Sequence, residues 1–204
     1  MGAHLYPFRP INPGVEGEKL RLNSQDVSLT AVFAALYTVV NVVQMFSVGN
    51  PLVSGPVQLR VADCLIALAA LLGWPVVFGL TIGCVASNFL SNMMYFLGPV
   101  DIIMGPVANF IAASLVLLLW RHRLLACVTG ALPIGFIVGG YLSWFLDVPE
   151  GLAFMPIWLG MIVSITISSL IAVAVIGYSL LTIVSRPSVI EPLKSHGLKV
   201  LAKG

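Results

Sequence analysis

Residues 156–184 read PIWLGMIVSITISSLIAVAVIGYSLLTIV and contain no Asp, Glu, Lys or Arg. A helix that crosses a bilayer needs about 20 consecutive, mostly apolar residues, and this stretch exceeds that length. Its apolar character is continuous, without the residue-by-residue alternation of a strand in a membrane barrel. The stretch therefore predicts a transmembrane helix.

The rest of the chain repeats this pattern. Hydrophobic residues make up 59% of the 204 residues and charged residues only 9%, whereas a soluble domain carries roughly 25% charged residues. The sequence therefore predicts an all-α integral membrane protein, with six transmembrane helices in one bundle. The predicted spans are 28–46, 58–73, 75–92, 99–120, 124–145 and 156–184. A polar N-terminal tail (1–27) and a basic C-terminal tail (185–204) flank this transmembrane domain (28–184).

The distribution of lysine and arginine predicts the orientation. The loops 47–57, 93–98 and 146–155 contain neither residue. Cytoplasmic segments carry the excess of these residues, so we expect both termini, and the loop between the fourth and fifth spans, on the cytoplasmic side of the cell membrane. Nine of the ten cations lie in those three segments: Arg9, Lys19, Arg21, Arg121, Arg123, Arg186, Lys194, Lys199 and Lys203.

The tenth cation, Arg60, stands between Leu59 and Val61 in an apolar stretch. A charge inside a bilayer is costly unless it is paired or hydrated, and it is by default a functional-site hypothesis. Asp63, one helical turn further on, is a candidate partner. Other polar side chains, including Tyr141, fall near the same outer ends of spans. We expect the following residues to form a binding site for a polar solute that arrives from outside: Gln58, Arg60, Asp63, Asn88, Asn92 and Asp101.

Each of these residues also has a purely structural interpretation. Arg60 and Asp63 suit a self-contained ion pair. Asp101 suits the positive end of its helix. Asn88 and Asn92, spaced i and i+4, suit hydrogen bonding between helices. Gln58 is close enough to the aqueous interface that exposure explains it. Their concentration at one depth favours the binding site.

Signatures of catalysis and of metal binding do not occur in the sequence. There is no G-x-x-x-x-G-K-[ST] and no H-E-x-x-H, and the cysteines are isolated. No basic patch suits nucleic acid. We therefore expect a protein that is not an enzyme and that needs no metal or cofactor. Ala31 and Ala35 are small residues at i and i+4, which favour close approach of a partner helix. Gly79 and Gly83 offer a similar strip, and packing within the bundle is the alternative for both pairs.

Four segments carry a resemblance to a known family: VQLRVAD (57–63), FGLTIG (78–83), ASNFLS (86–91) and GPVDIIMG (98–105). They resemble the substrate-binding S components of energy-coupling factor (ECF) transporters, most closely the QueT family assigned to queuosine precursors. The resemblance covers roughly residues 28–120. Asp63 stands where the family pattern has Glu.

The resemblance implies a six-helix subunit of an ABC-type importer that captures a vitamin-like solute from outside. Ala31 and Ala35 would contact a transmembrane scaffold subunit that carries two ATPase subunits, and loop 49–56 would act as a lid. For a 7-deazaguanine with an aminomethyl group, Asp101 or Asp63 would face the ammonium. Asn88 and Asn92 would then read the guanine-like edge. Alternatives are an S component for another vitamin-like solute or tryptophan, and a non-transporting membrane scaffold protein.

Overall fold

A computed structural model of the chain describes residues 23–47, 52–54, 57–95, 99–195, 198, 200 and 201. The predicted all-α membrane bundle is confirmed. Within the described residues, five helices are long and apolar enough to cross a membrane, and a sixth apolar helix is shorter. The helices are α1 (Ser24–Ser47), α2 (Val61–Leu72), α3 (Trp74–Tyr95), α4 (Pro99–Leu118), α5 (Arg123–Leu142), α6 (Ile157–Val184) and α7 (Pro187–Ser195).

The second predicted span differs from its expected form. Residues 58 and 59 belong to a strand, and α2 covers only 61–72, of which Val61–Leu68 is 3₁₀-helical. At about 2.0 Å per 3₁₀ residue and 1.5 Å per α residue, α2 is about 22 Å long, shorter than the ~30 Å hydrocarbon core. Residues 65–72 are all buried. Because a helix that is apolar on every side is a core helix, this run reflects burial among the other helices.

The turn after α2 depends on a glycine. Gly73 has a φ of 77°, a conformation that side-chain-bearing residues rarely adopt. It lets the chain leave α2 and start α3 at Trp74 without an intervening loop.

A small antiparallel hairpin lies between α1 and α2. Strands β1 (Leu52–Ser54) and β2 (Val57–Leu59) pair Leu52 with Leu59 and Ser54 with Val57. Part of the loop proposed as a lid, 49–56, is therefore β1, whereas residues 49–51, 55 and 56 lie outside the described residues. Strand β2 packs against the first half of α6, so the hairpin joins three helices at one end of the bundle.

Helices α1 and α3 pack closely through the glycine strip. A Cβ added at Gly79 would lie 2.7 Å from the Thr30 carbonyl oxygen, and one at Gly83 would lie 2.6 Å from the Ala34 carbonyl oxygen. The glycines thus permit backbone-to-backbone contact inside the bundle. Ala31 and Ala35 lie on the opposite, exposed face of α1.

Helix α6 is continuous over its 28 residues, but its middle, Leu170–Gly177, is π-helical. This segment packs against α2 and α5. After α7, the C-terminal residues return to the bundle, where the Leu201 N–H donates to the Leu71 carbonyl oxygen at 2.7 Å. Residues 1–22 lie outside the described part of the chain, and the division into tails and transmembrane domain stays a prediction.

Candidate functional site

The three charged groups that the sequence singled out lie together inside the bundle. Arg60 joins β2 to α2, Asp63 lies in the first turn of α2, and Asp101 lies in the first turn of α4. The Arg60 guanidinium is 3.7 Å from Asp101 Oδ1. Asp101 is 0% exposed and Asp63 is 3% exposed, so the cluster is nearly closed to solvent.

The ion pair within 4 Å connects Arg60 to Asp101, not to Asp63 as the i, i+3 spacing suggested. The reason is the backbone of Arg60, which has φ −106° and ψ 103° and precedes the helix. Helical spacing therefore does not set the direction of its side chain. Asp63 nevertheless lies beside Arg60, because its backbone N–H donates to the Arg60 carbonyl oxygen at 3.3 Å.

A tyrosine donates a hydrogen bond to each carboxylate. The Tyr141 hydroxyl donates to Asp101 Oδ1 at 2.5 Å, and the Tyr37 hydroxyl donates to Asp63 Oδ1 at 2.8 Å. Asn109 Nδ2 in turn donates to the Tyr37 hydroxyl oxygen at 2.7 Å. These bonds tie α1, α2, α4 and α5 together around the charges.

Sequence reasoning noted Tyr141 without assigning it a role, and it missed Tyr37 and Asn109. Both missed residues are buried within apolar helices, nearer the middle of their spans than the polar residues at the span ends. The usable signal is that an amide or phenol inside a membrane helix needs a hydrogen-bonding partner. That signal indicates that a partner exists but not which one.

The two asparagines of α3 differ in their contacts. Asn88 Nδ2 donates to the backbone carbonyl of Asp101 at 2.8 Å, which fixes the start of α4 against α3. Gly105 makes this possible, because a Cβ there would collide with Asn88 Nδ2. One turn further along, the Oδ1 atom of Asn92 is buried without a hydrogen-bond partner among the described residues.

Gln44 of α1 holds the backbone on both sides of Arg60. Its Nε2 donates to the Leu59 carbonyl at 2.8 Å, and its Oε1 accepts from the Val61 N–H at 2.9 Å. The position of Arg60 is thereby fixed by α1. Gln58 precedes this junction in β2, and its side chain lies outside the described residues.

Three polar atoms of the predicted site residues are buried and have no hydrogen-bond partner among the described residues: Arg60 Nε, Asp101 Oδ2 and Asn92 Oδ1. Leaving such an atom unsatisfied costs about 1–3 kcal/mol. The set comprises one donor and two acceptors contributed by three elements. An acceptor beside Arg60 Nε and donors beside the two oxygens would complete their hydrogen bonding. Among the described residues, no three His, Cys, Asp or Glu side chains are grouped as metal ligands.

Ala31 and Ala35 lie apart from this cluster, on the exposed face of α1. Helix α1 is the least buried of the five long helices, with 28% of its apolar window buried against 44–50% in the others. The alanines therefore form a flat strip on the outside of the bundle.

A bundle of membrane-length helices with acids, an arginine and amides held in its interior is typical of multi-pass membrane proteins that handle polar solutes. A family model described as QueT transporter matches residues 27–186. The chain therefore belongs to the QueT transporter family, as an S component, and the resemblance seen in the sequence is confirmed. No curated protein and no solved structure matches the chain.

Proposed function

We propose that this chain is the substrate-capture subunit of an ECF-type ABC importer and that it binds a queuosine precursor of the 7-deazaguanine type from outside. The observation that carries the proposal is the buried cluster of Arg60, Asp63 and Asp101. Its formal charge, two carboxylates against one guanidinium, is −1. A ligand with one ammonium group neutralises that excess, which is costly to leave uncompensated in a low-dielectric interior.

The unpaired atoms support the same ligand class. Asp101 Oδ2 is a buried acceptor suited to an aminomethyl ammonium. Asn92 Oδ1 suits the N–H groups of a guanine-like edge, and Arg60 Nε suits its carbonyl oxygen. Asn88, whose amide already bonds the backbone of Asp101, positions that acid. Gln58 is retained as a ligand-binding candidate on its sequence position alone.

A ligand reaches these atoms only if the outer end of the bundle opens, because Asp101 and Asp63 are almost completely buried. The hairpin of β1 and β2 is the element that would move to open the bundle. Strand β2 leads directly into Arg60. Its displacement from α6, with breakage of the Gln44 bonds to Leu59 and Val61, would carry the guanidinium away from Asp101 and expose both carboxylates.

Energy for transport would come from partner subunits. The sequence contains no phosphate-binding P-loop, and we assign the chain no catalytic role. The exposed strip of Ala31 and Ala35 suits docking of a transmembrane scaffold subunit that carries two ATPases. The lysine and arginine distribution supports a cell-membrane orientation with both termini in the cytoplasm.

The test is calorimetry on the purified protein with two 7-deazaguanines, one carrying an aminomethyl group and the other a neutral methyl group. We expect the aminomethyl compound to bind at least tenfold more tightly. Asp101→Asn should reduce its affinity at least tenfold and leave the affinity for the methyl compound less affected. Asp147→Asn, at an exposed position in an outer loop, is the matched control and should change neither.

If the Asp101→Asn protein and the parent protein bind the aminomethyl compound with equal affinity, Asp101 is not part of the site. If neither deazaguanine binds but another vitamin-like solute or tryptophan does, the capture role survives with a different substrate. If no solute binds and cluster substitutions only lower stability, the cluster is structural, as in a membrane scaffold protein.

A further inference from the structure

A second group of cations lies at the opposite end of α4 from the Arg60 cluster. Asp101 lies in the first turn of the 20-residue helix α4, whose length is about 30 Å, and Arg121 follows its last turn. Between this loop and the end of α6 is an open cavity of about 760 Å³. Its walls are formed by Arg121, His122, Arg123, Leu124, Leu125, Tyr178 and Ser185.

The cavity is lined by basic groups and by no acid. Two guanidiniums give it a positive potential, and the Arg121 guanidinium lies 5.7 Å from the centre of the Trp120 ring. Contact with an aromatic face holds an arginine in place while its N–H groups remain free to bind an anion.

Uncharged donors converge on the same place. Helix α5 begins at Arg123, and its preceding residue, His122, makes no side-chain capping bond. The first N–H groups of such a helix lack partners within it and favour negative charge. The hydroxyl of Ser185 is buried and has no hydrogen-bond partner among the described residues. A phosphate oxygen would supply an acceptor for it.

The rim distinguishes a lipid from a small soluble anion. Leu124 is 54% exposed and Leu125 is 52% exposed, and Leu118, near the end of α4, is 70% exposed. Leu124 and Leu125 line the cationic cavity where α5 enters the apolar part of the bundle, and Leu118 is exposed near the end of α4. A ligand that fits both parts has an anionic head beside acyl chains.

We propose that this cavity binds the phosphate headgroup of an anionic phospholipid. Arg121 and Arg123 pair with the phosphate, Ser185 donates a hydrogen bond to it, and the acyl chains lie along Leu124 and Leu125. The site is separate from the solute cluster and does not depend on the solute's identity. A basic loop that serves only to orient the chain in the membrane needs neither an adjoining cavity nor a serine with an unpaired hydroxyl in the wall of that cavity.

The test is native mass spectrometry of the full chain in detergent with phosphatidylglycerol, phosphatidylcholine or inorganic phosphate at equal concentration. We expect one phosphatidylglycerol to be retained at least tenfold more strongly than phosphatidylcholine, and inorganic phosphate not to compete for it. Arg121→Gln with Arg123→Gln should abolish this preference. Lys194→Gln removes an exposed cation outside the cavity and should leave the preference unchanged.

Ser185→Ala keeps every charge and so preserves the signal that orients the chain. We expect it to weaken phosphatidylglycerol retention severalfold without altering the circular dichroism spectrum. Equal retention of the two lipids by the parent protein, or an undiminished preference in the double arginine variant, would overturn the proposal. Displacement of the lipid by inorganic phosphate would show a site for free anions instead.

Discussion

Arg60 and Arg121 occupy opposite ends of the same bundle and meet opposite conditions. The Arg60 side chain is 12% exposed and pairs with a carboxylate that is itself 1% exposed. Arg121 is exposed and stacks on the Trp120 ring. A buried charge is stable only together with its partners, whereas an exposed charge keeps its water and tolerates substitution. The same residue type is therefore structurally demanding at one end and replaceable at the other.

Removing the buried arginine is expected to have the largest effect. Arg60→Ala leaves Asp101 and Asp63 as buried carboxylates without their cation, so we expect a loss of about 3–5 kcal/mol in the free energy of unfolding. Arg121→Ala should change stability by no more than about 0.5 kcal/mol. Denaturant unfolding in detergent measures both. If the two substitutions lowered the free energy of unfolding equally, the buried and the exposed arginine would not differ in their contribution to stability.

A paired change sharpens this comparison. Arg60→Met together with Asp101→Asn removes both charges of the ion pair, and we expect it to be less destabilising than Arg60→Ala alone, because one buried carboxylate, Asp63, is left without the cation instead of two. The same unfolding measurement tests this. A double variant at least as unstable as the single one would mean that Arg60 acts through packing and not through its charge.

A smaller loss of stability is expected at Gly105, where the contact between α3 and α4 leaves no room for a methyl group. Gly105→Ala brings a Cβ into Asn88 Nδ2 and should break its bond to Asp101, lowering stability by about 1–3 kcal/mol. Gly140→Ala is the control, because nothing lies within 4 Å of a Cβ at that position. The difference in melting temperature between the two variants is the readout, and equal values would contradict the close α3–α4 contact.

The smallest effect on stability is expected on the exposed face of α1. Ala35→Leu should leave the melting temperature and solute affinity unchanged, because the side chain points away from the bundle. It should nevertheless abolish co-purification with the scaffold subunit, since a leucine prevents close helix approach. Val85→Leu, at an exposed position of α3, should permit assembly. A complex that still forms with Ala35→Leu would place the docking face elsewhere.

The five long helices were predictable because each is a continuous apolar run of membrane length, and their ends follow from charges, prolines and glycines. The predicted length of the second span was wrong, because a short apolar run has the same sequence pattern whether it crosses lipid or is surrounded by protein. The hairpin was also missed, although Gly55 and Pro56 between its strands are turn residues.

For the cluster, the sequence identified the charged residues but not their pairing. Spacing along a helix suggested Arg60 with Asp63, whereas the pairing to Asp101 depends on where α4 lies relative to β2 and α2. Tyr37 and Asn109 are 72 residues apart in the chain, and no local pattern relates them. Contacts between helices depend on how the helices pack, and no periodic pattern in a single sequence shows which residues will meet.

The 3₁₀ geometry of Val61–Leu68 has a mechanical consequence. An α-helix rises about 0.5 Å less per residue and turns about 20° less. If these eight residues changed from a 3₁₀-helix to an α-helix, the segment would shorten by about 4 Å and its ends would rotate by nearly half a turn relative to each other. With the far end held in the core, the arginine at its start would be drawn inward and swung to a different neighbour. The helical geometry of this segment, together with the Gln44 bonds on both sides of Arg60, therefore determines where Arg60 lies relative to the rest of the bundle.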